Sequence, residues 1–169
     1  DKTEVLDKML DWAKAAFTRE NLGALENCGF YDNAIRERRL RQKDLENHFE
    51  EALRQHQCVV YYQPKYDVKA CRFYGAEALV RWISPTQGVI PPGNFVPVFE
   101  GNSMIVKLDE YIFDQVCGQI RRWLDAGYKV QPVSVNISRL HLYQRGFVKR
   151  YLGIIHKWRI PPGLVELEL

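Results

Sequence analysis

The chain has 169 residues, 46% of them hydrophobic and 27% charged, which is the profile of an ordinary globular domain with a core to bury. A net charge of +3 is too mild for a dedicated binder of DNA or RNA, and no apolar run approaches the roughly 20 residues that cross a bilayer. The four scattered cysteines form no CxxC pair and stand near no closely spaced histidines, so they read as free thiols in a reducing cytoplasm, not as a zinc site. No signal segment opens the chain, and a membrane anchor before Asp1 stays open.

Residues 1–20 space Val5, Leu6, Met9, Leu10, Trp12, Ala13, Ala16 and Phe17 near helical intervals. NLGALENCGFYDNA then loses periodicity among the turn formers Asn21, Gly23, Asn27 and Gly29. A second helix is expected from about Ile35 to His56. Its basic first half, RERRLRQK, reads as the solvated side of a connecting helix, and its second half lines up Leu45, Phe49, Ala52 and Leu53.

Strand and helix alternate from there. CVVYYQP reads as a strand ended by Pro64, and FYGAEALVRW as a second strand ended by Ser84-Pro85. TQGVIPPGNF has loop chemistry, with Pro91, Pro92, Phe95 and Pro97 shaping it. A long helix follows from about Ser103 to Ala126, with Ile105, Leu108, Ile112, Val116, Ile120 and Trp123 in one stripe and Gly127 as its cap. VSVNIS is a third strand, Phe147 to Trp158 an amphipathic helix, and LVELEL a fourth strand. This alternation predicts an α/β fold with a parallel sheet covered by helices.

Side chains two apart share a strand face, so Glu77, Leu79 and Arg81 project from one side of GAEALVRW. Ala76, Ala78, Val80 and Trp82 project from the other, the packing side, where Trp82 joins the core. The other two strands repeat the anomaly, with Asn136 between Val135 and Ile137, and with Glu166 and Glu168 on one face. Neighbouring strands lie about 4.8 Å apart, so these groups can converge on one point. Two carboxylates and an amide oxygen suit Mg²⁺ or Mn²⁺, and an arginine beside them suits a phosphate. Taken singly, each has a plainer explanation: a strand-edge glutamate, a strand-end asparagine, and for Glu166 a structural ion pair.

YYQPKYD, GAEALVRW, SPTQGVIPPGNFVPVFE, VSVNIS and LVELEL, in this order, resemble the EAL domain, the bacterial cyclic di-GMP phosphodiesterase module. Residues 1–33 resemble the C-terminal end of a GGDEF domain more faintly; they carry no GGDEF signature, so no cyclase activity follows. The resemblance implies part of a (β/α)8 barrel, about its first four strands, with one strand antiparallel and a helical segment in front. It divides the chain into a GGDEF-like remnant (1–33), a connecting helix (34–56) and the N-terminal half of the barrel (57–169). It further implies that Glu77, Asn136 and Glu168 are catalytic metal ligands, for two ions in the complete site. Gln63, Leu79 and Arg81 then contact cyclic di-GMP, Arg81 through a phosphate. Glu100 stands where the family has a glutamate, and reads either as a loop or helix-start residue or as part of the site.

A barrel of this kind takes about 200–250 residues, so the chain is expected to be a piece of a longer protein, inactive alone. Exposed sheet edges favour pairing with a second copy, and a homodimer is expected. By the same resemblance, the parent is expected to carry an upstream GGDEF or sensor domain and to hydrolyse cyclic di-GMP to linear pGpG. The alternatives are a degenerate EAL domain that binds cyclic di-GMP without cleaving it, and a protein-interaction module built on the helix from Ile35 to His56.

Overall fold

A computed structural model describes residues 2–16 and 33–169. The chain divides into two compact units, Asp1–Asn47 and His48–Leu169. The first holds α1 (Lys2–Ala16) and most of α2 (Asn33–Arg54). Arg39 Nη1 donates to the Asp11 carbonyl at 2.9 Å, while Val5, Leu6, Met9 and Leu10 of α1 remain exposed. Arg36, Arg38, Arg41 and Lys43 of α2 are exposed too, as a solvated basic face requires. Residues 17–32, with most of the aperiodic stretch NLGALENCGFYDNA and of the GGDEF-like segment's end, lie outside the described residues.

The second unit begins with the last turns of α2, where Phe49 and Ala52 are fully buried. The helix stops as two hydrogen bonds close its end: His56 N–H donates to Leu53 O and Gln57 N–H to Ala52 O. His56 takes the left-handed conformation (φ 54°) that glycine usually occupies there.

The chain then makes β1 (Cys58–Asp67) and β2 (Arg72–Ser84), an antiparallel hairpin with Gln63 opposite Glu77. Next come β3 (Gly88–Ile90), antiparallel to β2, α3 (Pro92–Gly101), α4 (Ile105–Asp125) and β4 (Val133–Asn136). A 3-10 turn (Arg139–Tyr143), α5 (Phe147–Trp158) and β5 (Val165–Glu168) complete the order. The sheet runs β1-β2-β4-β5, with β2, β4 and β5 mutually parallel and β1 reversed against them. That is the barrel-type α/β arrangement expected, with β1 reversed; the short β3, also antiparallel to β2, lies off the main strand order.

Two expectations fail. Pro64 does not end β1, which continues to Asp67. Pro64 faces Ala76, whose N–H turns away from β1 to the Pro132 carbonyl at 2.9 Å. At such a pair the ladder asks no N–H of either strand, so an edge-strand proline costs nothing. The proline-rich stretch is likewise no plain loop, since it makes β3 and α3. Pro92 sits at the first helical position, where a missing N–H is harmless, and Phe95 and Phe99 are fully buried.

The core lies between the sheet and α3, α4 and α5. Cys58, Ala78, Trp82, Val133 and Val135 are buried on the sheet, and Leu108, Ile112, Val116 and Ile120 on α4. Gly127, at φ 81°, closes α4 as the expected cap. Burial pushes the Cys58 and Cys117 thiols up to about 12, and with Cys71 they are free thiols among the described residues. No helix among the described residues is long and apolar enough to cross a membrane.

Gly75 marks the closest approach of β2 to the segment before β4. A Cβ there would lie 2.8 Å from the Pro132 carbonyl oxygen, too near for any carbon. Gly75→Ala is expected to cost about 1–3 kcal/mol, read as a lower urea midpoint. An unchanged midpoint would show that the two segments separate freely.

Candidate functional site

The pairing register decides which side chains can meet. Gln63 lies opposite Glu77, Glu77 opposite Ser134, and Ser134 opposite Glu166. One step further toward the carboxyl ends of the parallel strands, Asn136 lies opposite Glu168. Gln63, Glu77, Leu79, Arg81, Asn136 and Glu168 therefore share the sheet face turned away from the helices.

Two contacts tie this face together. Asn136 Nδ2 donates to Glu77 Oε1 at 2.7 Å. Lys65 Nζ lies 2.6 Å from Glu168 Oε1, joining β1 to β5 across β2 and β4. The Lys65 ammonium holds the Glu168 carboxyl below its ordinary value, and the same hydrogen bond raises Lys65. Arg81 Nη1 donates to the Val80 carbonyl at 2.7 Å, and its guanidinium lies 5.8 Å from the Tyr61 ring centroid. Glu77, in the middle of β2, and Asn136 thus meet directly, with Glu168 opposite Asn136. Among the described residues no three His, Cys, Asp or Glu side chains cluster as an ion site.

The strand end beyond Asn136 is pinned from behind. Ile137 N–H donates to the Glu168 carbonyl at 2.8 Å, and Ser138 N–H to Asp109 Oδ2 at 2.8 Å. Ser138 Oγ approaches Glu100 Oε1 at 3.3 Å. Glu100 thus belongs to the last turn of α3, not to a helix start, because the helix begins eight residues earlier at Pro92. A cavity of about 310 Å³ opens here, lined by Arg81, Pro92, Glu100, Asp109, Asn136 and Ser138 among others. Behind it, His141 Nε2 lies 3.1 Å from Asp109 Oδ2 and 3.2 Å from Tyr151 Oη, all of it buried.

Burial pushes the Asp109 carboxyl up to about 7, against the opposing hydrogen bond from Ser138 N–H. An unfolded aspartate loses its proton near 3.8, so between 3.8 and about 7 the folded chain binds the extra proton. This group's contribution to stability therefore falls as pH rises through that window. Burial also lowers His141, whose penalty arises on the acid side of its ordinary 6.5. In urea unfolding at pH 5 and pH 8, Asp109→Asn is expected to lose less stability toward pH 8 than the parent chain. Parallel pH dependences would contradict the assignment.

Comparison with known proteins decides the family. The family model for the EAL domain matches residues 46–169.

The chain belongs to the EAL domain family.

Over 161 residues, 95% of this chain and 23% of the relative, the EAL chain is 32% identical to the bifunctional diguanylate cyclase/cyclic di-GMP phosphodiesterase MucR of Pseudomonas aeruginosa. It is 34% identical over 119 residues to the signaling protein YkoW of Bacillus subtilis, covering 70% of this chain and 15% of that one. The chain thus spans less than a quarter of either relative's length. Among solved structures, the PaMucR phosphodiesterase in complex with c-di-GMP matches with a TM-score of 0.69 at 34% identity. That match covers 75% of this EAL chain and 51% of the PaMucR chain.

Of the groups now seen around this site of the EAL domain, Lys65 and Asp109 are not singled out by the sequence, whereas strand alternation alone puts Ser138 on the Asn136 face. Lys65 had a signal, since it stands two residues after Gln63 and shares its face once the strand is extended past Pro64. Asp109 had none, because it meets Ser138 only when α4 packs behind β4.

Proposed function

We propose that the full-length protein carrying this chain is a cyclic di-GMP-specific phosphodiesterase that opens one phosphodiester bond to give linear pGpG in bacterial signalling. One observation carries the reading. Glu77 and Asn136 are hydrogen-bonded at 2.7 Å with Glu168 opposite Asn136, on the strand face that also bears Arg81. Two carboxylates and an amide oxygen are hard donors that fit Mg²⁺ or Mn²⁺, and two ions in the complete site. Both carboxylates already hold positively polarised partners, an amide N–H on Glu77 and the Lys65 ammonium on Glu168. When bound, such a cation supplies a water of lowered pKa and offsets the phosphate charge.

The chain's own groups do the rest. Arg81 exchanges its Val80 carbonyl for a phosphate and fixes the dinucleotide through a planar fork. Gln63 and Leu79 complete the contacts to cyclic di-GMP on the same face. The MucR match supports an upstream GGDEF or sensor domain, because 161 aligned residues reach well in front of residue 46. A cytoplasmic homodimer is part of the same proposal.

Arg81→Ala is expected to raise KM about ten- to a hundred-fold and to leave kcat within a few-fold, since a phosphate contact is lost and the cation donors stay. An unchanged KM would show that Arg81 does not touch substrate. The reading itself is tested by calorimetric titration of cyclic di-GMP into the full-length protein, with Ca²⁺ replacing Mg²⁺ to suppress turnover. Saturable binding, weakened about ten- to a hundred-fold in Arg81→Ala, is the expected result. No binding by folded protein overturns the reading.

A further inference from the structure

We infer that Lys65 competes with the divalent cation for Glu168 and so sets how tightly this site holds metal. The inference rests on Glu168 being a ligand, as proposed above.

Lys65 and Glu168 stand 103 residues apart in sequence, on strands with β2 and β4 between them. Their contact is made by a long side chain reaching over the site face, not by neighbours in a ladder. The N···O distance of 2.6 Å is that of a short charge-assisted hydrogen bond. Side-chain exposures of 23% for Lys65 and 42% for Glu168 place the pair at the partly covered edge of the sheet. So exposed an ion pair adds little to folding, and stability is a poor reason for a lysine there.

Its effect on a cation is larger. A divalent ion on Glu168 must either take the oxygen that Lys65 holds or share the carboxylate with a unit positive charge a few ångströms away. Both weaken binding, the first by breaking the hydrogen bond and the second by repulsion in a medium less polar than water. Lys65 can withdraw because its stem is flexible and anchored only at β1, beside the register shift at Lys65/Tyr66.

The test is calorimetric titration of Mn²⁺ into EDTA-stripped full-length protein without cyclic di-GMP, for the parent, Lys65→Met, Lys65→Arg and Glu168→Gln. Lys65→Met keeps the length of the side chain without its charge, and is expected to bind Mn²⁺ about tenfold more tightly. Lys65→Arg keeps the charge and is expected to stay within about twofold of the parent. Thermal melts of the stripped proteins confirm folding, and Lys65→Gln replaces Lys65→Met if the latter unfolds. A structural role alone would lower the melting temperature and leave the Mn²⁺ affinity unchanged. Unchanged or weaker Mn²⁺ binding by the uncharged variant, with binding still dependent on Glu168, overturns the inference and leaves the site reading standing. Mn²⁺ binding indifferent to Glu168→Gln, or none by the parent, overturns the site reading and the inference with it.

Discussion

Glu77→Ala in the full-length protein is expected to reduce hydrolysis of cyclic di-GMP by a factor on the order of 10³ or more, about 4 kcal/mol of barrier. Glu77 projects from the middle of β2, held opposite Gln63 on one side and Ser134 on the other. The register leaves no other acidic side chain of β2 on that face to replace it. Alanine removes one of the two carboxylates of the proposed donor set and leaves the Asn136 amide without its 2.7 Å acceptor. Glu77→Gln separates these effects, because its amide oxygen can still accept from Asn136 while the charge is gone. Both variants should be folded, since Glu77 faces away from the core, and both should be nearly inactive. Normal turnover by Glu77→Ala would remove Glu77 from the mechanism.

The largest expected loss of stability is at Phe99. Its ring is fully buried, with centroids of Phe49 at 4.5 Å, Phe95 at 5.7 Å and Trp82 at 6.1 Å. The cluster joins the end of α2, the sheet and α3, so no single element can slide in to fill the space. Phe99→Ala is expected to cost about 3–5 kcal/mol, read from urea unfolding followed by tryptophan fluorescence. A loss under about 1 kcal/mol would mean that the cluster collapses around the cavity. Because α3 also carries Glu100 against Ser138, weaker cyclic di-GMP binding should accompany the loss.

Much of this was legible because strand periodicity is local. Alternation in GAEALVRW alone separates Glu77, Leu79 and Arg81 from Ala78 and Trp82, and the structure buries Ala78 and Trp82 as that alternation requires. The stripe from Ile105 to Ile120 is equally local, and it packs as one face of α4. Where the reading failed, a neighbour had overruled a local rule. Pro64 looks like a terminator until the partner strand shows that its position needs no N–H, and ending the strand there hid Lys65. The prolines around α3 look like loop chemistry until the buried Phe95 and Phe99 show what the helix is anchored by. Asp109 and His141 are 32 residues apart, and nothing in either segment announces the other.

The central claim is that this strand face serves phosphodiester hydrolysis, and one assay meets it directly. Full-length protein is incubated with cyclic di-GMP and Mg²⁺ or Mn²⁺, and the products are resolved by chromatography. Formation of linear pGpG, absent with Glu77→Ala, is the predicted result. Cyclic di-GMP recovered intact, from folded protein shown to bind it, would contradict the claim and leave a binding domain without catalysis.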